Sequence, residues 1–318
     1  MRMLITGVTG FVGSHLAEYL IGHGDEVIGI KRWRSPMDNL DGVSVKLLDG
    51  DLTDPGSTRS CVDIASPSVI YHLAAQSYVP FSYEAPRATM EANVIGTLNL
   101  LEAIRNRGEP YPRVILVTSS EVYGDVEEAI CPIDEDTRML PVSPYGVSKA
   151  AADLLGYSYF VSYGIPIVRL RNFTTSGAGR GRVFFDSSWC WQIAQMEIGK
   201  QRPDVLHVGN LDSVRTVMHV RDLVRGYALA VDRCAPGEAY NIGGSETYQL
   251  REIVEMLRPM TEVKFTIEED PDLMRPADVT NQKPNRAKFQ KATGWQPTIP
   301  YQEALDDMLH HWRLDTEV

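Results

Sequence analysis

Three glycines near the start of the chain constrain its fold most strongly. They stand in Gly7-Val-Thr-Gly10-Phe-Val-Gly13, between a short apolar run and a segment whose apolar residues recur at helical spacing. Glycine permits a tight turn and a close approach of the backbone to a pyrophosphate, and the following helix N-terminus offers free N–H groups and partial positive charge. The spacing predicts a dinucleotide-binding strand, turn and helix; a glycine turn without a ligand is the alternative. The residues predicted to contact the dinucleotide here are Gly7, Thr9, Gly10, Phe11, Val12 and Gly13.

Short β-rich runs alternate with longer stretches of helical spacing as far as Leu170. This alternation predicts an α/β fold with a Rossmann-type, doubly wound parallel sheet that carries helices on both faces. The predicted strands are residues 3–6, 26–30, 45–48, 69–73, 114–118 and 167–170.

The pattern changes after Leu170, where a glycine-rich stretch and an aromatic segment follow. We predict two domains: 1–172 binds the dinucleotide, and 173–318 forms a smaller C-terminal α/β lobe packed against the sheet. Within the second domain, the segment from about 214 to 242 is expected to pack back on the first. The second domain is also predicted to contain helices at 222–231 and 252–257, and a turn at 293–297 before a last amphipathic helix.

The composition argues against several partners. The 318 residues carry a formal net charge of −11 and no run of lysine or arginine, so neither nucleic acid nor a membrane surface is an expected partner. No apolar run reaches the roughly 20 residues of a membrane span, and the first apolar run ends at Gly7, too soon for a signal peptide. The four cysteines are far apart and form no CxxC, which predicts reduced thiols in a cytoplasmic protein and no metal site.

A basic segment, Lys31-Arg-Trp-Arg-Ser35, follows the second predicted strand. A site for NAD usually carries an acidic residue here, whereas cations and a hydroxyl suit a 2′-phosphate. We therefore predict NADP, with Arg32, Arg34 and Ser35 as contacts; a solvated basic turn is the alternative. The ends of the next two strands are predicted to contact the cofactor through Asp51, Leu52, Leu73, Ala74 and Ala75.

Tyr145 and Lys149 stand four residues apart, so a helix would place both side chains on one face. A nearby ammonium, together with a nicotinamide ribose, favours tyrosinate, so we expect a lowered pKa for Tyr145. The phenolate could take a proton from a sugar hydroxyl while a hydride leaves the same carbon. Ser119, just after the fifth predicted strand, is placed to hydrogen-bond that oxygen. A YxxxK pattern alone is usually structural, but the glycine turn and this serine favour the catalytic interpretation.

These motifs resemble the extended short-chain dehydrogenase/reductase family over essentially the whole chain. The resemblance rests on the glycine turn, His72-Leu-Ala-Ala75, Asn93, Ser119 and the YxxxK pattern. It implies an enzyme with a Rossmann domain, a smaller domain for a nucleotide sugar, and assembly as a homodimer or homotetramer. It also implies that Asn93 is structural.

Glu121, two residues after Ser119, adds a second candidate base. Oxidation of a sugar hydroxyl makes the neighbouring C–H proton acidic, so a carboxylate here suits elimination of water; a supporting or solvated loop acid is the alternative. Several stretches resemble the GDP-mannose 4,6-dehydratases, especially their shorter bacterial and archaeal forms: 32–35, 75–79, 209–215 and 273–279. That resemblance implies that Tyr145 acts at the carbon-4 hydroxyl and Glu121 at carbon 5, with NADP exchanging the hydride.

The same resemblance assigns the substrate to Gln76, Ser77, Ser120, Thr174, Arg180, Asn210, Arg215 and Arg275. Arginines suit a diphosphate because they form bidentate, charge-assisted hydrogen bonds, and Asn210 either binds the nucleotide or caps a turn. The chain departs from the family at Thr174, where an asparagine normally contacts the sugar diphosphate, and at Thr216-Val217. The resemblance implies a dehydratase that acts on GDP-mannose; another nucleotide sugar or altered catalysis is the alternative that these departures leave open.

Two alternatives to a dehydratase stay open. A 4-keto-sugar reductase or an epimerase would use the same scaffold. A non-catalytic NADP-binding sensor is the alternative from another class of protein, but it has no need of Ser119, Tyr145 and Lys149.

Overall fold

The computed structural model describes residues 1–316 of the chain. The six predicted strands are all present, each with ends within two residues of those predicted. In this range the strands are β1 (Arg2–Thr6), β2 (Glu26–Lys31), β3 (Lys46–Asp49), β4 (Val69–His72), β5 (Arg113–Ser119), β6 (Ile167–Asn172), β7 (Thr174–Ser176), β8 (Val205–Val208), β9 (Val214–His219), β10 (Ala239–Ile242), β11 (Glu246–Gln249), β12 (Thr266–Glu269) and β13 (Asn281–Gln282). The helices are α1 (Phe11–Gly22), α2 (Pro55–Ala65), α3 (Val79–Glu84), α4 (Pro86–Met90), α5 (Gly96–Arg107), α6 (Pro144–Tyr163), α7 (Phe185–Glu197), α8 (Val220–Arg233), α9 (Leu250–Leu257), α10 (Ala287–Thr293) and α11 (Tyr301–Thr316).

Seven parallel strands form the central sheet, in the order β10-β6-β5-β4-β1-β2-β3. β1 pairs with β2 on one side and with β4 on the other. The chain therefore winds outward through β2 and β3, returns to β4 beside β1, and winds outward in the other direction. A reversal of this kind opens a crevice at the carboxyl ends of the two central strands. The Rossmann-type, doubly wound sheet is confirmed.

Helices cover both faces of this sheet. On one face α1, α8 and α10 pack over β-strand side chains in a core that contains Leu16, Leu170 and Tyr227. On the other face α2, α5 and α6 bury a second core around Leu100 and Leu116. Burial of both faces explains why the strands read as nearly continuous apolar runs in the sequence.

The C-terminal half builds a smaller α/β lobe. There β9 pairs with β11 in antiparallel and with β7 and β13 in parallel fashion, and β8 pairs with β12. Helices α7, α9 and α11 pack around a separate core that contains Trp189, Ile253 and Tyr301. Of the segment 214–242, α8 packs on α1 and β10 extends the central sheet, whereas β9 belongs to the smaller lobe.

Among the described residues we looked for membrane-spanning helices, disulfide bonds and clusters of metal-binding side chains. None of the helices within 1–316 has both the length and the apolar character needed to cross a membrane. The thiols of Cys61, Cys131, Cys190 and Cys234 are unpaired. In the same part of the chain, no group of three or more histidine, cysteine, aspartate or glutamate side chains is arranged to hold a metal ion.

Candidate active site

One large cavity, with a volume of about 1020 Å³, lies between the carboxyl ends of the central strands and the smaller lobe. Every residue predicted to be catalytic or to bind the substrate lines this cavity, and so does every predicted cofactor contact except Arg34. These residues come from both halves of the chain. The fold therefore brings the predicted cofactor, catalytic and substrate residues to one place.

The glycine turn presses against the end of β4. A Cβ atom on Gly7, whose φ is +74°, would lie 2.8 Å from the backbone nitrogen of Ala74, and one on Gly13 would lie 2.2 Å from the carbonyl oxygen of Gly7. Helix α1 begins after Gly10, and no side chain of the described residues caps its first N–H groups. Since the first turn of α1 lines the cavity, these uncapped donors suit a bound pyrophosphate.

The basic segment after β2 is divided between cavity and solvent. Arg32 and Ser35 line the cavity, but Arg34 is exposed and lies outside it. A hydrogen bond from the Ser35 N–H to the Arg32 carbonyl (3.0 Å) closes a turn with Trp33 and Arg34 at its tip, which turns both side chains outward. The cavity therefore favours Arg32 over Arg34 for a 2′-phosphate, and the contact through Arg34 stays a prediction. Lys31 is already neutralised by Asp49, 2.5 Å away.

A buried hydrogen-bond chain positions the backbone after β4. The Thr6 hydroxyl accepts hydrogen bonds from the N–H groups of Leu73 and Ala74, both at 3.2 Å, and lies 2.8 Å from His72 Nδ1. His72 Nε2 lies 2.9 Å from the Thr97 hydroxyl, which donates to the Asn93 carbonyl. The ring must therefore donate from Nε2 and accept at Nδ1, as neutral imidazole does. Burial, aided by Lys149, lowers the pKa of His72 to about 3.

Asn93 joins this strand end to the catalytic helix. Its side-chain oxygen accepts the Gln76 N–H at 2.7 Å, and its amide nitrogen donates to the Gln76 carbonyl and the Ser148 hydroxyl, both at 2.9 Å. All of these partners belong to the protein, so the role of Asn93 is structural.

Helix α6 places Tyr145 and Lys149 on the cavity. The Ser143 hydroxyl caps the helix by accepting the Gly146 N–H at 3.0 Å, and proline occupies its first position. Tyr145 lies in the first turn, and Lys149 lies one turn later with its Nζ 3.0 Å from the Val117 carbonyl. Burial lowers the pKa of Lys149 to about 8. The ammonium is thus protonated but close to titration at neutral pH.

In the chain by itself, the pKa of Tyr145 is raised above its ordinary value. Burial is the main cause, the negative charge of Glu121 adds to it, and a hydrogen bond with Ser119 opposes it. The Lys149 ammonium points to the Val117 carbonyl. Desolvation of the phenol therefore outweighs the hydrogen bond with Ser119. The predicted lowering, which depends on a bound nicotinamide ribose as well as on Lys149, stays a prediction.

Glu121 faces the cavity beside these residues. Its N–H donates to the Ser119 hydroxyl at 3.2 Å, which fixes the short turn after β5. Its carboxylate accepts a hydrogen bond from Gln282 Nε2 at 3.4 Å and lies 3.6 Å from Arg275 Nη1. Gln282 was not predicted, because it follows 161 residues later in a two-residue strand that has no sequence signal.

The three predicted diphosphate arginines line the cavity but differ in their partners. Arg180 contacts the Asp186 carboxylate at 3.3 Å, and Arg215 contacts that of Asp278 at 3.4 Å. Arg275 contacts Glu121 and is the most exposed of the three, at 30% of its side chain. It is therefore the arginine most accessible to a ligand.

Two predicted substrate residues use their side chains within the protein. Asn210 accepts the Asp212 N–H and donates to Asp278, both at 2.9 Å, so it caps a turn, which was one of its two predicted roles. Gln76 accepts the Tyr78 N–H at 2.6 Å and donates to the Thr89 hydroxyl at 3.1 Å. Both side chains also line the cavity, and their contact with a substrate stays a prediction.

The chain matches a known family over nearly its whole length. A model of the family described as GDP-mannose 4,6 dehydratase matches residues 4–308. The chain belongs to this family. The resemblance to extended short-chain dehydrogenase/reductases drawn from the motifs is thereby confirmed.

Within the GDP-mannose 4,6-dehydratase family, relatives of two activities are similar to the chain. A GDP-6-deoxy-D-mannose reductase of Pseudomonas aeruginosa is 32% identical over 312 residues, covering 98% of the chain and 97% of the relative. A GDP-mannose 4,6-dehydratase of Vibrio cholerae is 31% identical over 349 aligned positions, covering 97% of the chain and 92% of the relative.

A solved structure that is similar to this chain contains a nicotinamide cofactor. The structure of RMD from Pseudomonas aeruginosa complexed with NADPH is similar to the chain, with a TM-score of 0.86 and 31% sequence identity. The superposition covers 99% of this chain and 100% of the RMD chain. The uncapped N–H groups of α1 and the glycine contacts at Gly7 and Gly13 fit such a cofactor.

Proposed function

We propose that the chain is an NADP-dependent nucleotide-sugar 4,6-dehydratase that converts GDP-mannose to GDP-4-keto-6-deoxymannose. One observation carries the proposal: the Glu121 carboxylate lies on the same cavity as Ser119, Tyr145 and Lys149. Oxidation at carbon 4 removes a hydride from the carbon and a proton from its hydroxyl, which needs one base. Elimination of water across carbons 5 and 6 needs a second base. The chain supplies both, and relatives of the family carry the name of this activity.

Each catalytic side chain has a separate task. Tyr145 takes the proton of the carbon-4 hydroxyl, and the Ser119 hydroxyl hydrogen-bonds that oxygen. The resulting ketone makes the proton at carbon 5 acidic, so Glu121 removes it and passes a proton to the carbon-6 hydroxyl, which leaves as water. When bound, NADP would supply the redox chemistry as the carrier of a hydride between carbon 4 and carbon 6. The protein then returns a proton to carbon 5, and the sequence consumes no reductant.

We favour NADP over NAD because of the residues after β2. Arg32 and Ser35 line the cavity there, and the segment has no acidic residue that would repel a 2′-phosphate. The similar RMD structure contains NADPH. Arg32 is thus the proposed partner of the 2′-phosphate, which arginine binds through charge-assisted hydrogen bonds.

A reductase of GDP-4-keto-6-deoxy sugars is the second candidate. The observation that favours it is length: the reductase relative aligns over 312 residues, whereas the dehydratase alignment spans 349 positions and so requires inserted segments that this 318-residue chain lacks. A reductase needs Tyr145 as an acid and has no use for a base at Glu121.

One assay separates the two candidates. The protein is incubated with GDP-mannose and NADP⁺ at a tenth of the substrate concentration, and nucleotide sugars are followed by mass spectrometry. A dehydratase converts all of the substrate to a product lighter by one water, without accumulation of NADPH. Failure with GDP-mannose, together with NADPH oxidation in the presence of the 4-keto-6-deoxy sugar, would establish the reductase instead. UDP-glucose and dTDP-glucose in parallel reactions test whether Thr174 has changed the preference for the nucleotide.

We also propose a homodimer that forms through helix α6. One face of α6 carries four apolar residues at helical spacing: Val147, Leu154, Tyr157 and Val161. Each of these side chains is between 43% and 62% exposed, and Val142, just before the helix, is 39% exposed. Ile95, just before α5, is also exposed, and α5 packs against α6. A contiguous apolar face of this kind is typical of an interface between subunits.

The four free thiols are consistent with a cytoplasmic location.

A further inference from the structure

Two buried polar atoms on the cavity wall have no hydrogen-bond partner within residues 1–316. They are the hydroxyl oxygen of Tyr227 in α8 and the side-chain oxygen Oδ1 of Asn172 at the end of β6. Tyr227 is 0% exposed. Buried polar groups are nearly always paired in folded proteins, so an unpaired group on a binding cavity indicates a partner that arrives with a ligand.

Both atoms lie on the same face of the central sheet. Asn172 follows Leu170 by two residues in β6, so the two side chains point to the same face. Leu170 packs in the core that contains Tyr227. Asn172 pairs with Ser119 in the register of β5 and β6, and Tyr145 lines the same cavity as Tyr227. The unpaired atoms therefore belong to the catalytic end of the cavity.

The wall around them is apolar. Phe11, Leu73 and Val117 line the cavity and pack against the same core. Such a wall suits a flat aromatic ring and disfavours a sugar, whose hydroxyls would lose their hydrogen bonds to water there. A tyrosine hydroxyl can donate one hydrogen bond, and an amide oxygen can only accept. The complementary group therefore offers one acceptor and one donor on an aromatic ring.

We propose that Tyr227 and Asn172 hold the carboxamide of the nicotinamide ring. The Tyr227 hydroxyl donates to the carboxamide oxygen, and Asn172 Oδ1 accepts a hydrogen bond from the carboxamide nitrogen. Asn172 Nδ2 donates to the Thr175 hydroxyl at 3.4 Å, which leaves Oδ1 as the free atom of its amide. Together the two contacts fix the rotation of the ring against Phe11, Leu73 and Val117. This inference rests on the proposed binding of a nicotinamide cofactor.

Binding of three ligands to variants of the full-length protein tests the inference by calorimetry. The ligands are NADP⁺, its 3-acetylpyridine analogue, which has a methyl group in place of the carboxamide NH₂, and 2′-phospho-ADP-ribose, which lacks the nicotinamide. Tyr227→Phe is expected to bind NADP⁺ and the acetylpyridine analogue roughly three- to tenfold more weakly, since one hydrogen bond is lost. Its affinity for 2′-phospho-ADP-ribose stays unchanged. Asn172→Ala is expected to bind NADP⁺ more weakly and to bind the other two ligands unchanged, because only NADP⁺ carries the carboxamide nitrogen.

Tyr71→Phe is the matched control. The Tyr71 hydroxyl is also buried and has no hydrogen-bond partner among residues 1–316, but Tyr71 does not line the cavity. This variant should therefore bind all three ligands like the unmodified protein.

The outcomes distinguish this inference from the proposed function. If the unmodified protein binds neither NADP⁺ nor 2′-phospho-ADP-ribose, the proposed cofactor is wrong. If it binds both, and Tyr227→Phe and Asn172→Ala bind all three ligands as the control does, only the carboxamide site is refuted. Should Tyr227→Phe fail to fold, as judged by thermal melting, the selective loss expected for Asn172→Ala decides the question by itself.

Discussion

At the scale of single residues, the two proposed bases differ in how the protein controls them. Burial raises the pKa of Tyr145, so its phenolate forms only when positive charge lies beside it. Lys149 supplies one such charge, and an oxidised nicotinamide carries another. Glu121 is held by a hydrogen bond from Gln282 and by Arg275, which keep its carboxylate on the cavity. We infer that Tyr145 becomes a base when the cofactor is bound, whereas Glu121 is positioned beforehand.

Glu121→Gln is expected to uncouple oxidation from elimination. The amide cannot take the proton at carbon 5, so we expect dehydration to fall by ~100-fold or more, which is a typical effect of removing a general base. Oxidation at carbon 4 by Tyr145 continues, so NADPH should accumulate up to the amount of enzyme. Absorbance at 340 nm and the mass of the nucleotide sugar measure the two steps.

The control for this variant is Glu127→Gln, because Glu127 is exposed and does not line the cavity. It should turn over like the unmodified protein. Unimpaired dehydration by Glu121→Gln would show that this carboxylate is not the base and would favour the reductase.

His72 gives the fold a defined sensitivity to acid. The pKa of His72 is about 3 in the folded protein, against an ordinary value of 6.5. At a pH between these two values, His72 is protonated in the unfolded chain but neutral in the folded protein. The free energy of unfolding therefore falls as the pH is lowered through this window, by up to ~1.4 kcal/mol for each pH unit from this group. Urea unfolding of His72→Gln, whose amide can still donate and accept, should show a shallower fall between pH 6 and pH 4. An unchanged slope would contradict a neutral His72.

At the scale of elements, the start of α6 is built against the turn that carries Glu121. A Cβ atom on Gly146 would lie 2.7 Å from the Glu121 carbonyl oxygen and 2.9 Å from Pro141 Cβ. The first turn of α6 therefore reaches this backbone only because residue 146 is a glycine. Further along α6, Asp153 pairs with Arg169 at 2.6 Å and with Arg171 at 3.0 Å, which anchors the helix to β6.

Gly146→Ala is expected to push the first turn of α6 away from the Glu121 turn. Because the opposing atom is backbone, something must shift, and a displacement of Tyr145 by an ångström is sufficient to lower kcat by ~100-fold. Cofactor affinity, which depends mainly on the glycine turn, should change far less. Steady-state kinetics and calorimetry measure the two effects. Gly22→Ala is the matched control, because a Cβ atom on this glycine at the end of α1 meets nothing within 4 Å.

At the scale of the whole molecule, the proposed active site belongs to neither lobe alone. The central sheet provides Ser119, Glu121 and the glycine turn, and the smaller lobe provides Arg215, Arg275 and Gln282 on the same cavity. Since α8 and β10 return from the C-terminal half to the central sheet, the chain crosses between the lobes more than once. These crossings hold the two walls of the cavity at a defined separation.

The apolar face of α6 predicts assembly at this scale. The double variant Leu154→Glu/Val161→Glu places charges on two side chains that are 56% and 62% exposed, and it should be a monomer by light scattering where the unmodified protein is a dimer. Leu314→Glu, at a similarly exposed leucine of α11, should leave the dimer intact. A monomeric unmodified protein at micromolar concentration would refute the proposed interface.

The sequence by itself determined the features that depend on neighbours along the chain. The strand–helix alternation, the glycine turn before α1 and the spacing of Tyr145 and Lys149 on α6 are local patterns. Each follows from backbone geometry or from periodic burial over a few residues. The doubly wound sheet could therefore be predicted without coordinates, and so could the strand and helix ends at which the proposed catalytic residues lie.

Only the tertiary structure decided which side chains are desolvated and which meet across the cavity. Gln282 reaches Glu121 from 161 residues away, a two-residue turn carries Arg34 to the solvent, and packing of α8 on the sheet leaves the Tyr227 hydroxyl unpaired beside the cavity. The raised pKa of Tyr145 belongs to the same class. Burial and long-range contacts exist only after the lobes have packed, so no local pattern in the chain records them.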